Sequence, residues 1–78
     1  MPSGAQVRAA RAILGISAKD LAKLANIGWA TVQRLESQDL ECTSRGRTAL
    51  LIRAALEAKG IEFIGDPEKN PGVILHRP

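Results

Sequence analysis

Cysteine is almost absent from this 78-residue chain, with Cys42 standing alone. A lone cysteine excludes an internal disulfide, and a single histidine, His76, supplies no ligand cluster for a zinc site. Tyrosine is missing, and Trp29 and Phe63 are the only aromatic residues, so any core must be aliphatic. No apolar run approaches the roughly 18 residues of a membrane span. Met1 to Gly4 lack the charged-then-apolar order of a signal peptide. These shortages lead to the expectation of a reduced, cytoplasmic protein with no metal and no cofactor. His76 has no nucleophile or carboxylate near it in sequence to prepare it for chemistry, which makes an enzyme the remotest reading and an exposed histidine the plainer one.

What the chain does have is aliphatic bulk, with 45% hydrophobic residues. That is enough for one small domain, although a chain this short buries only about 60% of its unfolded surface and profits from a partner. The net charge of +3 is placed unevenly. Up to Arg47 the basic residues Arg8, Arg11, Lys19, Lys23, Arg34, Arg45 and Arg47 outnumber Asp20, Glu36, Asp39 and Glu41, whereas the remainder is neutral. A polyanion would therefore bind the first half.

Periodicity and punctuation predict four helices followed by a hairpin. The first helix spans about Ala5 to Leu14, with Val7, Ala10 and Leu14 as its inward stripe and Gly15 as its stop. Ser17 begins a second, since Ser17-Ala18-Lys19-Asp20 is a capping-box pattern, and Leu21, Ala22 and Ala25 follow as the buried face. Asn26-Ile27-Gly28 leaves room only for a tight turn, with Asn26 the best non-glycine candidate for a left-handed backbone. The third helix opens at about Trp29. Steps of 100° put Val32, Leu35 and Glu36 on one side and Ala30, Gln33, Arg34 and Ser37 on the other. After a polar connection from Ser37 to Gly46, a fourth helix runs from Thr48 to Lys59 on Leu51, Ile52, Ala55 and Leu56. The period then changes to two, so Ile61 to Ile64 and Val73 to His76 read as strands joined by a long loop holding Pro67 and Pro71.

Two short helices joined by a three-residue turn, the second with a polar outer face, form the plan of a DNA-reading helix-turn-helix. The run Leu14-Gly15-Ile16-Ser17, Leu21-Ala22, Asn26-Ile27 and Ala30-Thr31-Val32-Gln33-Arg34-Leu35-Glu36 resembles the Xre/Cro-like family of bacterial and phage repressors, over roughly Val7 to Glu36 without gaps. With the helices read above, the resemblance implies a mostly α, four-helix repressor-like domain over residues 1–60, and the hairpin read over residues 61–78 stands where many family members continue with a fifth helix. It implies that the third helix enters the major groove, with Trp29, Ala30, Gln33 and Arg34 nearest the bases. Ser17, Ala18, Lys19, Lys23, Thr31, Arg45 and Arg47 then approach phosphate. It also implies an ion pair between Arg11 and Glu36, the alternative being that both side chains bend out to solvent.

Chemistry orders these residues. Arg34 can bond both acceptors on a guanine edge and Gln33 suits adenine, although Arg34 can equally touch only phosphate. Trp29, near the boundary between faces, either stacks on a sugar or thymine methyl or leans back on the protein. Ala22 must be small where the second and third helices cross. The sequence departs from the family pattern at Ala18, commonly glutamine, at Asn26, usually glycine, and at Gly28, commonly a serine or threonine cap. No glycine follows Glu36 until Gly46, and Leu24 is apolar where the family is commonly polar.

The leading expectation is a transcription regulator that binds double-stranded DNA as a homodimer without catalysis. One recognition helix covers too few bases, so pairing is needed to meet two half-sites about 34 Å apart. Ile61, Phe63, Ile64, Val73, Ile74 and Leu75 are expected to form the dimer interface, since a lone hairpin is marginal in water and its edges recruit further strands. The competing expectation is an antitoxin or other protein-interaction module whose tail strands pair with a toxin or other protein. A monomer whose hairpin folds back on its own helices is the plain alternative.

Overall fold

A computed structural model describes residues 3–37 and 47–77. The described residues are mostly helical and form four helices and one small antiparallel sheet. The boundaries of the first two helices have local causes.

Helix α1 covers Gly4–Leu14 and begins one residue earlier than periodicity indicates. Ser3 caps it, accepting from the Gln6 N–H at 3.2 Å, while the Gln6 side chain accepts from the Ser3 N–H at 2.8 Å. Gly15 ends it with φ 71, a left-handed value that a residue with a Cβ adopts only under strain. Helix α2, Ala18–Ala25, carries the capping box of Ser17 and Asp20 and ends at Asn26 with φ 58. Helix α3, Trp29–Ser37, follows directly, its first turn held by Thr31 and Val32 N–H groups bonding the Gly28 carbonyl. Helix α4 spans Arg47–Ala58. The polar connection and Arg45 lie outside the described residues.

Strands β1, Ile61–Ile64, and β2, Gly72–Leu75, pair antiparallel with Ile61 opposite Leu75 and Ile64 opposite Gly72. The second strand begins and ends one residue before its sequence-based bounds. The connecting loop is built by Asp66, whose carboxylate accepts from the N–H groups of Glu68 and Lys69, and by Asn70, whose side chain accepts from the Asp66 N–H at 2.6 Å. Gly65 is required there, because its φ is +77 and a Cβ would lie 1.9 Å from the Asn70 carbonyl oxygen.

One aliphatic core joins all these elements: Val7 and Ala10 from α1, Leu21, Ala22 and Ala25 from α2, Val32 and Leu35 from α3, Ile52 and Leu56 from α4, and Ile61 from β1. The tail is therefore not a separate packing unit. β2 lies against α1 and β1 against α4, so residue 60 marks a change of secondary structure inside one core. Four of the six tail residues expected at a dimer interface thus pack against their own chain. Ile61 is buried at 4% exposure, and Phe63, Val73 and Leu75 pack on the same core. Strand alternation is the reason, since residues 61, 63, 73 and 75 share the inward face. Ile64 and Ile74, 38% and 40% exposed, share the outward one. Gln6 secures the arrangement, its amide donating to the carbonyls of Ile64 at 3.0 Å and Gly72 at 2.9 Å.

Candidate nucleic-acid interface

The outer side of α3 consists of Ala30, Gln33, Arg34 and Ser37, all exposed, with Thr31 half-buried beside them. Its inner side buries Val32, Leu35 and Glu36. The angular separation of the two sets along a 3.6-residue helix produces this division.

Burying Glu36 fixes how α3 is held. Arg11 reaches it with two parallel hydrogen bonds, Nε to Oε2 at 2.7 Å and Nη2 to Oε1 at 2.9 Å, and places Nη1 3.2 Å from the Ile16 carbonyl. Glu36 raises the pKa of Arg11 chiefly through this hydrogen bonding, against the opposing cost of burial. Arg8 adds a bond to the Glu36 main-chain carbonyl. Two arginines of α1 thus grip the last turn of α3, one at the side chain and one at the backbone. The first is the contact that the family resemblance implies. The second was not visible in the sequence, because a carbonyl acceptor leaves no mark in the residue pattern.

The start of α2 has its own geometry. Ser17 Oγ accepts from the Asp20 N–H at 3.0 Å and Asp20 Oδ2 accepts from the Ser17 N–H at 3.1 Å. Those bonds hold the Asp20 carboxyl below its ordinary value, with the Ser17 backbone N–H as the main cause. The N–H groups of Ala18 and Lys19, in the first helical turn, lie beyond the reach of any carbonyl of their own helix. They have the partial positive character that favours an anion. Lys19 places its ammonium 4.7 Å from the centre of the Trp29 ring, so a side chain of the first turn of α2 meets one of the first turn of α3.

The exposed charge of the described residues up to Arg47 is predominantly positive. Lys19, Lys23, Arg34 and Arg47 are exposed. Of the acidic residues up to Arg47, Asp20 is occupied in its cap and Glu36 is buried against Arg11. The structure thus brings together Ser17, Ala18, Lys19 and Trp29, aligns Gln33 and Arg34 on one outer face, and places Lys23 in the last turn of α2. Ser3 and Gln6 were missed as a structural pair, although Ser3-Gly4-Ala5-Gln6 has the spacing of a capping box. No group of residues with metal-binding composition occurs among the described residues, and no described helix is long and apolar enough to cross a membrane. No protein-family model, curated protein or solved structure matches this chain.

Proposed function

We propose that this chain is a sequence-specific DNA-binding transcriptional regulator of the Xre/Cro-like type, cytoplasmic and non-catalytic, with a repressor-like helical arrangement and α3 in the major groove. The observation that carries this reading is the exposed face of Ala30, Gln33 and Arg34 on a helix clamped from behind by Arg8 and Arg11. A reading helix must present its side chains without rotating, and a partly buried bidentate pair resists that rotation. Arg34 addresses a guanine edge and Gln33 an adenine, while Trp29 and Ala30 meet the bases nearby. Lys19, Lys23, Thr31, Arg45, Arg47 and the open N–H groups of the α2 start meet phosphates.

The functional unit is a homodimer, because a single α3 spans too few base pairs for useful specificity. Its pairing surface is the outward side of the hairpin around Ile64 and Ile74. The same exposed pair supports the second reading, a protein-interaction module whose hairpin engages a toxin or another partner. A titration of random-sequence duplex at several salt concentrations tests the first reading. Affinity should fall steeply with salt, and enrichment from a random pool should converge on one sequence. Binding that ignores salt, or a pool that never converges, refutes it.

A further inference from the structure

Trp29 is the aromatic side chain that the core does not take up, since Phe63 packs inside. It stands at the first position of α3 with 45% of its surface exposed. The protein covers the rest of the ring, and the exposed part is open to an external surface. Two further features bear on it.

The first is the Lys19 ammonium, 4.7 Å from the ring centre. This separation is within the range of a cation–π attraction, which restrains the indole without enclosing it. The second is the lack of bulk on either side of Trp29 in the chain, where Gly28 and Ala30 stand. Gly28 caps α3, its carbonyl accepting the first helical bonds, a position that suits glycine, and a Cβ there would meet only Thr31 Oγ1 at 3.7 Å, an ordinary contact. The fold therefore has space for a side chain at Gly28 and the chain supplies none. A small residue in open space beside a restrained ring is what close approach of an external surface requires.

We propose that Trp29 reads a thymine methyl group, with Lys19 as the residue that positions its ring. This inference rests on the DNA-binding reading and names the base feature it recognises. The major groove presents one apolar group, the C5 methyl of thymine, and an indole edge is the apolar surface that α3 has for it. Lys19 holds the ring from the α2 side and carries a positive charge to the neighbouring phosphate.

The test uses the full chain and a duplex enriched from a random pool, in which each thymine in turn is replaced by uracil, a change that removes only the methyl. At one position in each half-site the replacement weakens binding about threefold to fivefold, the worth of one buried methyl. Trp29→Ala, with circular dichroism showing the helices intact, is indifferent to that replacement. The emission of Trp29, the sole tryptophan, shifts when duplex saturates the protein. Lys19→Gln lowers affinity for every sequence and also shrinks the uracil effect. A uracil penalty that persists undiminished in Trp29→Ala, or no thymine at which the methyl matters, overturns the inference while leaving DNA binding in place. A pool that yields no enriched sequence removes the DNA-binding reading itself and this inference with it.

Discussion

Arg11 and Glu36 meet through two parallel hydrogen bonds of 2.7 and 2.9 Å, joining the inward side of α1 to the last turn of α3. The Glu36 side chain is 8% exposed and that of Arg11 23%, so removing the carboxylate strands a guanidinium that is only partly open to water. Glu36→Ala should destabilise the fold by about 1 to 3 kcal/mol, below the full cost of breaking a buried pair because Arg11 can turn toward solvent. In a double-mutant cycle with Arg11→Ala, urea unfolding should show the double variant losing less than the sum of the singles. Strict additivity would mean that the pair contributes no coupling.

The same clamp shows which parts of the molecule were legible beforehand. Arg11 and Glu36 fall on inward stripes that 3.6-residue periodicity exposes, and Gly15, Ser17 and Asn26 mark boundaries because each is suited to the backbone conformation found there. Period two could not decide the tail. Ile61-Glu62-Phe63-Ile64 and Gly72-Val73-Ile74-Leu75 offer apolar residues to both faces, so only packing against α1 and α4 shows which set is inward. The contact of Lys19 with Trp29 joins residues on different helices. It depends on the angle between α2 and α3, which no local pattern states.

Arg34 and Lys23 should fail in different ways when removed. Arg34→Ala is expected to weaken specific binding by about 1 to 3 kcal/mol and to relax preference at one base pair of each half-site. Lys23→Ala removes a phosphate contact, which carries no sequence information, so affinity should drop alike for all duplexes and the salt slope should flatten by about one ion. Binding isotherms for matched and mismatched duplexes over a range of salt separate the two. Indistinguishable behaviour would mean that α3 does not present Arg34 to the bases.

Acid should loosen the start of α2. The Ser17 N–H holds the Asp20 carboxyl below its ordinary value of 3.8, so the folded state binds its proton less readily than the unfolded state. The contribution of the cap is therefore complete above that ordinary value and is lost as pH falls through the lower folded one. Asp20→Asn should melt below the natural chain near pH 5, and the difference should fade as pH falls below the ordinary carboxyl value. Ser17→Ala should cost about 1 kcal/mol, since it removes the acceptor for the Asp20 N–H. A pH-independent gap between Asp20→Asn and the natural chain would show that the carboxylate charge plays no part in the cap.

The hairpin's two faces call for two different substitutions. Truncation after Gly60 removes Ile61, Phe63, Val73 and Leu75 from the core and deprives Gln6 of its acceptors on Ile64 and Gly72. The truncated chain should therefore lose its helical signal and sediment as an unfolded or aggregated species. Gln6→Met probes the same attachment more gently and should cost about 1 to 3 kcal/mol, because it removes a nearly buried amide from three hydrogen-bond partners. The outward face behaves differently. Ile74→Lys and Ile64→Lys place charge at positions already 40% and 38% exposed, leaving the core intact, so helicity and melting should change little. If the hairpin joins two copies through this face, sedimentation should show the natural chain as a dimer and Ile74→Lys as a folded monomer, with weaker binding to a two-half-site duplex than to its share of single half-sites would predict. A natural chain that sediments as a monomer, or an Ile74→Lys variant that remains a dimer, would exclude the outward face as the pairing surface.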